Sequence, residues 1–216
     1  MTDYIAGFVS GSVRTIVGQP LDTIKVWTQH KSSRPKTIAN LYKGMGFPLA
    51  TNGIFGSVKF GIYEKCRKEG MDSFSSGIVV GTCLTPFVSP IEFVKIRTQC
   101  ALPVITSNLY TGLQYTFLRE APAFGLYFYT YDTGRQNGLS TIVSGGLAGF
   151  VSWSITYPID VVKTRIQGGV VQSFESAIRM GGLYRGILFC LFRGIIVNAI
   201  GLHTYDSVRT ITTSES

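Results

Sequence analysis

Asp22, Lys25 and Gln29 stand three and then four residues apart in the stretch 19-QPLDTIKVWTQ-29. At about 100° per residue they fall within roughly 60° of one another on a helical face. Glu92, Lys95 and Gln99 in 89-SPIEFVKIRTQ-99 repeat the pattern, as do Asp160, Lys163 and Gln167 in 157-YPIDVVKTRIQ-167. An acid, a base and an amide on one face can form ion pairs and hydrogen bonds. They must do so here, because the segments around them are apolar and an unpaired charge at membrane depth costs about 3 kcal/mol. A pair within one helix contributes only about 0.3 kcal/mol. The acid precedes the base in all three copies, which lets each acid reach the base of a neighbouring helix. The expected pairs are Asp22 with Lys95, Glu92 with Lys163 and Asp160 with Lys25, closing a ring with the glutamines alongside.

A second charged set has the same logic. Glu64 and Arg67, Asp132 and Arg135, and Asp206 and Arg209 are each spaced i,i+3 and preceded by a tyrosine, Tyr63, Tyr131 or Tyr205. They predict a second ring at the opposite end of the same helices. A pore sealed at both ends is useless and one open at both ends is harmful, so one ring opens as the other closes. A solute bound between them must supply the differential free energy for the exchange of states.

The elements that position these residues come in three copies. Pro20, Pro90 and Pro158 are 70 and 68 residues apart, and each is followed by a Tyr-x-Gly marker: Tyr42-Lys43-Gly44, Tyr110-Thr111-Gly112 and Tyr184-Arg185-Gly186. Self-similarity at a fixed period sets the architecture, here repeats 1–70, 71–138 and 139–216. Each repeat holds two apolar segments long enough for a bilayer, which needs about 20 helical residues. They are placed near 4–30 and 46–68, 73–99 and 113–135, and 140–167 and 186–209. The prolines each remove one backbone hydrogen bond and kink the odd helices. Gly7/Gly11, Gly77/Gly81 and Gly145/Gly149 have the spacing that lets helices approach closely, and packing is their expected role. The predicted fold is an all-α membrane protein: six transmembrane helices in three tandem two-helix repeats, pseudo-threefold around a central cavity, with both termini on one side. One chain encloses the pore, so a monomer suffices.

Composition agrees. Of 216 residues 15% are charged and 45% hydrophobic, and 25 are glycine; mean hydropathy is +0.24, a membrane-like balance. The net charge of +8 lies partly inside apolar segments, which points to an anionic lipid, an anionic solute or internal pairing rather than to a nucleic acid polymer. Cys66, Cys83, Cys100 and Cys190 are scattered without CxxC spacing, so neither a disulfide nor a metal site is expected. No Ser/His/Asp set, HExxH, P-loop or dinucleotide glycine motif is present, so neither an enzyme nor a cofactor is expected. Met1 to Tyr4 lead straight into the first apolar segment, so targeting information is expected to be internal.

The three filled Pro-x-[Asp/Glu]-x-x-Lys motifs and the three Tyr-[Asp/Glu]-x-x-Arg motifs resemble those of the mitochondrial carriers along the whole chain. The resemblance implies six tilted helices in the mitochondrial inner membrane, with both termini on the intermembrane-space side. It implies a matrix gate at the proline motifs, with Gln29, Gln99 and Gln167 as braces, and a cytoplasmic gate at the tyrosine motifs, with Tyr63, Tyr131 and Tyr205 as braces. Twelve, ten and sixteen residues separate Gln29 from Tyr42, Gln99 from Tyr110 and Gln167 from Tyr184, so the family's surface helices are shortened or absent. Its cardiolipin motif survives at Lys43-Gly44 and Arg185-Gly186, but Thr111 takes the basic position in the second copy.

By the same resemblance, substrate contacts fall seven or eight residues after each Tyr-x-Gly glycine: Thr51 and Asn52, Arg119 and Glu120, and Arg193. Arg119-Glu120 is similar to the carnitine and basic amino-acid carriers. A zwitterion fits, with Glu120 facing its ammonium and Arg119 or Arg193 its carboxylate. The competing assignment for Arg119 and Glu120 is mutual neutralisation. The further cations Arg14 and Lys59 keep a nucleotide or deoxynucleotide, phosphate-bearing substrate as the alternative. A scaffold that keeps the barrel without transport is a third reading, but it would be expected to let one gate decay. Small-metabolite antiport is the favoured function. His203, Trp27 and Trp153 are expected to serve packing.

Overall fold

The computed structural model describes residues 2–30, 38–104, 108–197, 200 and 204. Among these the chain is all helical: α1 Thr2–His30, a 3-10 turn Ile38–Tyr42, α2 Gly46–Lys68, α3 Ser73–Gln99, α4 Leu113–Gln136, α5 Thr141–Gln167, α6 Phe174–Arg179 and α7 Ile187–Val197. Helices α3 and α5 are long and apolar enough to cross a membrane by length and composition. With α1, α2 and α4 at 29, 23 and 24 residues, each reaches beyond the roughly 30 Å of a hydrocarbon core.

Local chemistry sets the helix ends. Asp72 caps α3 by accepting from Ser75 N–H, and Ser140 caps α5 by accepting from Val143 N–H, each satisfying an otherwise orphaned donor. Pro20, Pro90 and Pro158 lie inside unbroken helices. The Tyr-x-Gly markers have a backbone cause. Gly44, Gly112 and Gly186 adopt φ of +77°, +79° and +91°, the left-handed region that glycine enters without steric cost. Each turns the chain where the neighbouring odd helix is close. A Cβ at Gly44 would lie 3.3 Å from Lys95 O, one at Gly112 3.1 Å from the Gln167 side chain, and one at Gly186 3.1 Å from Tyr157 Oη and 3.6 Å from Lys25 O.

The first and third turns are tied down by the residue that precedes the proline, and the first also by Thr23 beyond it. Gln19 donates to Lys43 C=O (3.0 Å) and Tyr157 to Arg185 C=O (3.2 Å), while Thr23 donates to Leu41 C=O (2.7 Å). The surface helix expected to be shortened is a six-residue α6 in the third copy and, among the described residues, a 3-10 turn in the first; in the second, residues 100–104 carry none and Asn108 has 3-10 geometry.

Helix α4 packs between α3 and α5. Gly77 and Gly81 make the α3–α4 contact possible: a Cβ at Gly81 would sit 2.6 Å from Glu120 O, and one at Gly77 2.6 Å from the Phe124 carbonyl carbon. The packing role expected for Gly145 and Gly149 is corrected. Among the described residues nothing lies within 4 Å of a Cβ built at either, nor at Gly11. A different glycine, Gly18, receives α7, with Arg193 and Val197 3.0 Å from its would-be Cβ.

Among the described residues the apolar core is small: Val80, Leu84 and Phe128 form one cluster, Tyr157, Val161 and Cys190 a second, and Val162, Ile166 and Ala177 a third. Large apolar side chains point outward instead, among them Phe87, Ile142, Leu188 and Ile195. Meanwhile Lys25, Arg119, Asp160, Lys163 and Arg165 are buried. Charges inside and aliphatics outside is the arrangement lipid selects.

Candidate functional site: an ion-pair ring lining a cavity

The three odd helices converge at their C-terminal ends, where the acid–base faces meet. Lys95 Nζ lies 2.9 Å from Asp22 Oδ2, Lys25 Nζ lies 2.7 Å from Asp160 Oδ2, and Lys163 pairs with Glu92. The pairs run α3 to α1, α1 to α5 and α5 to α3, so they form a closed cycle. Each joins two helices; none is the i,i+3 pair within a helix. Lys25 also stands over the faces of Trp153 (4.4 Å) and Tyr157 (5.4 Å). The quadrupoles of these rings favour a desolvated cation.

The glutamines do not act alike. Gln29 Nε2 donates to Asp160 Oδ2 at 3.0 Å, adding a donor to the Lys25–Asp160 pair. Gln99 Nε2 donates to Thr23 Oγ1 (3.0 Å) and Gln167 Nε2 to Thr111 C=O (3.3 Å). Those two tie helix ends to neighbouring segments and make no hydrogen bond to the ring carboxylates.

Two arginines join the ring, which spacing alone did not place there. Arg119, on α4, contacts Glu92 at 3.1 Å and Asp160 at 3.6 Å and also pairs with its neighbour Glu120. Arg193, on α7, lies 2.7 Å from Asp22. Three ring acids thus share five cations, and Glu120 contributes a fourth carboxylate beside them. The signal was available in the copy alignment, since both arginines sit seven residues after a Tyr-x-Gly glycine. What it lacked was the reach of a long side chain from an even helix into a ring built on odd ones.

A cavity of about 200 Å³ opens onto this ring, lined by Asp22, Lys25, Glu92, Lys95, Asp160 and Lys163 together with Arg119, Arg193 and Trp153. Of the other proposed contacts, Glu120 is buried behind Arg119 and neither it nor Thr51 is among the lining residues. The side chain of Asn52 lies outside the described residues. Lys59 stands over the Phe124 ring at 5.6 Å.

At the far end, Asp132 accepts from Tyr63 Oη at 2.7 Å and from Ser73, and Arg67 approaches it at 3.7 Å. Tyr63 stacks on Phe128, with ring centroids 3.7 Å apart, and Tyr131 stacks on Tyr127. Arg135 donates to Leu139 C=O and Glu64 is exposed. Tyr205, Asp206 and Arg209, which complete the second expected ring, lie outside the described residues, as does His203. Among the described residues the proline-motif end is therefore knit by three short pairs, of which Lys25–Asp160 is buried and the other two partly buried, and the tyrosine-motif end by one long, half-exposed pair.

Lys43 and Arg185, at the lipid-motif positions, have exposed side chains beside Gly44 and Gly186. The expectation that Trp27 only packs is corrected: its indole N–H donates to Gln99 C=O at 2.7 Å. Trp153 likewise serves as a platform for Lys25 and, at 5.5 Å, for Arg119. No group of three or more metal-ligating side chains occurs among the described residues.

Sequence comparison places this geometry among known proteins. The family described as mitochondrial carrier protein matches residues 1–72 and 134–216. The chain is 32% identical to the human mitochondrial basic amino acids transporter, covering 88% of this chain and 77% of that one. It is 29% identical to the mitochondrial arginine transporter BAC2 of Arabidopsis thaliana, covering 94% and 89%, and 26% identical to mouse solute carrier family 25 member 45, covering 94% and 96%. The Arabidopsis alignment runs over 263 residues, more than the 216 of this chain, in keeping with its short inter-helix segments. The relatives named here are transporters or solute carriers, and this helical membrane chain belongs to the mitochondrial carrier family.

Proposed function

We propose that this carrier moves a small zwitterionic metabolite of the amino-acid type, with basic amino acids first in order, across the mitochondrial inner membrane by alternating access and exchange. The architecture proposed for it is three repeats, 1–70, 71–138 and 139–216, supplying six transmembrane helices around one cavity, with both termini on the intermembrane-space side. The Asp22–Lys95, Glu92–Lys163 and Asp160–Lys25 pairs form the matrix gate. Tyr63, Glu64, Arg67, Tyr131, Asp132, Arg135, Tyr205, Asp206 and Arg209 form the cytoplasmic one. The cyclic contacts of Gly44, Gly112 and Gly186 with the next odd helix support the threefold arrangement. Lys43-Gly44 and Arg185-Gly186 would hold a cardiolipin headgroup, and a monomer is sufficient.

The observation that carries the substrate reading is the shared use of Arg119 and Arg193. Both line the cavity and both neutralise ring acids. A solute carboxylate entering from the open end competes for these guanidiniums with Glu92, Asp160 and Asp22, while Glu120, released from Arg119, takes the solute ammonium. Binding therefore removes cations from the ring that seals the other end, and the new charge-assisted bonds offset the ring bonds lost. This gives the solute the differential affinity for two states that a conformational change requires. Relatives whose names specify basic amino acids and arginine support the same class. A phosphate-bearing nucleotide would also engage Arg119 and Arg193 but would leave Glu120 with no cation to receive.

The test is uptake of labelled arginine into proteoliposomes preloaded with arginine, with Arg119→Ala and Glu120→Ala alongside. Loss of exchange in both supports the site. Exchange of nucleotides that survives Glu120→Ala overturns it in favour of a phosphate site.

A further inference from the structure

One turn beyond the ion pairs, the residue seven positions after each motif proline makes an equivalent bond. Trp27 Nε1–H donates to the backbone carbonyl of Gln99 (2.7 Å), Arg97 Nε–H to that of Gln167 (3.0 Å) and Arg165 Nε–H to that of Gln29 (3.3 Å). The three acceptors are themselves equivalent, each nine residues after its proline at the C-terminal end of an odd helix. The last carbonyls of a helix have no intrahelical donor, and they carry the negative end of its dipole. Each odd helix thus caps the next, α1 to α3, α3 to α5 and α5 to α1.

We infer that Trp27, Arg97 and Arg165 are positioning residues forming a second closure layer at the proline-motif end, one that must break whenever this end opens. The inference rests on reading that end as a gate and not on the identity of the solute. Two features support it. The layer runs in the opposite sense to the ion pairs, whose cations reach from α3 to α1, α5 to α3 and α1 to α5, so the two layers oppose relative displacement of the helix ends in both directions. The donors are also graded in strength. Arg165 is fully buried and bonds in addition to Ala177 C=O and Gly181 C=O, both at 2.7 Å, anchoring α6 to the gate. Arg97 lies over Phe93 and reaches Pro103 C=O at 3.4 Å. Trp27 has only its single neutral N–H. The α1–α3 seam is then the most weakly capped and the one most sensitive to loss of its donor.

The experiment uses the full chain in proteoliposomes with its native cysteines replaced and Val26→Cys added, since Val26 borders the cavity beside the ring. The readout is the reaction rate of that cysteine with a membrane-impermeant thiol reagent applied from the proline-motif side. Trp27→Phe keeps the ring and removes the donor. It is expected to raise the rate about fivefold, the shift that loss of one neutral hydrogen bond gives. Trp27→Arg, which installs the donor found in the other copies, is expected to return it to the parent value. Lys95→Gln, which opens the ion-pair layer, is the control. If Lys95→Gln does not raise labelling, the gate reading fails and the second layer falls with it. If Lys95→Gln raises labelling but Trp27→Phe does not, or if Trp27→Arg behaves as Trp27→Phe does, the gate stands and the second layer is overturned.

Discussion

Charge reversal at the Asp22–Lys95 pair makes a prediction specific to this structure, because Asp22 has two partners, Lys95 at 2.9 Å and Arg193 at 2.7 Å. Asp22→Lys gathers three cations where one acid and two cations stood. Like charges about 4 Å apart at an effective dielectric of about 20 repel by roughly 4 kcal/mol. For a chain of about 200 residues each kcal/mol moves Tm about 2–4 °C, so a drop of roughly 8–16 °C is expected by thermal unfolding in detergent, together with loss of exchange. Adding Lys95→Asp restores a pair of reversed polarity between α1 and α3. The lysine at position 22 still faces Arg193, so recovery is partial. Adding Arg193→Gln as well removes that repulsion, and the triple variant should be more stable than the double. The order single, double, triple, rising in Tm, is the expected result. Full recovery in the double variant, or no gain from Arg193→Gln, refutes the placement of Arg193 on Asp22.

Gly81→Ala forces a methyl against the α4 backbone and should cost about 1–3 kcal/mol, whereas Gly149→Ala, facing open space, should stay within about 0.5 kcal/mol; a thermal-shift comparison separates them. Gly112→Ala places a Cβ in the left-handed region and beside Gln167, so a loss of about 1–2 kcal/mol is expected, read the same way. Tyr63→Phe removes the 2.7 Å bond to Asp132 and should lower the barrier to opening at the tyrosine-motif end, seen as faster labelling of a nearby introduced cysteine from that side. Burial pushes the Cys100 thiol up to about 11. With Cys66, Cys83 and Cys190 replaced, maleimide should therefore react slowly at pH 7 and about tenfold faster per pH unit until the thiol ionises near that value. A rate already level at pH 9 would contradict the shift.

Much of this site is written in spacing. The proline offsets define three copies, the i,i+3,i+7 pattern fixes one polar face per odd helix, and the acid-before-base order gives the direction in which the pairs run. What spacing does not contain is how far a side chain on another helix reaches. Arg119 and Arg193 were readable as cavity residues, but their engagement with Glu92, Asp160 and Asp22 depends on α4 and α7 approaching the ring. Helix ends were hidden for a related reason. Trp27 does not look like Arg97 or Arg165 by residue type, and only the shared acceptor, a terminal carbonyl of the next helix, reveals the common role. The glycine pairs mislead for the opposite reason: the same small-xxx-small spacing packs in α3, where α4 is close, and meets none of the described residues in α5.

The central claim is a gated carrier whose solute brings both a carboxylate and an ammonium to Arg119, Arg193 and Glu120. The most direct measurement is uptake by proteoliposomes of the purified chain, preloaded separately with arginine, lysine, carnitine, a nucleotide or buffer alone. Saturable uptake that requires preloading with a basic amino acid or carnitine is the predicted result. Uptake supported only by the nucleotide, or none above protein-free vesicles with any solute, contradicts it.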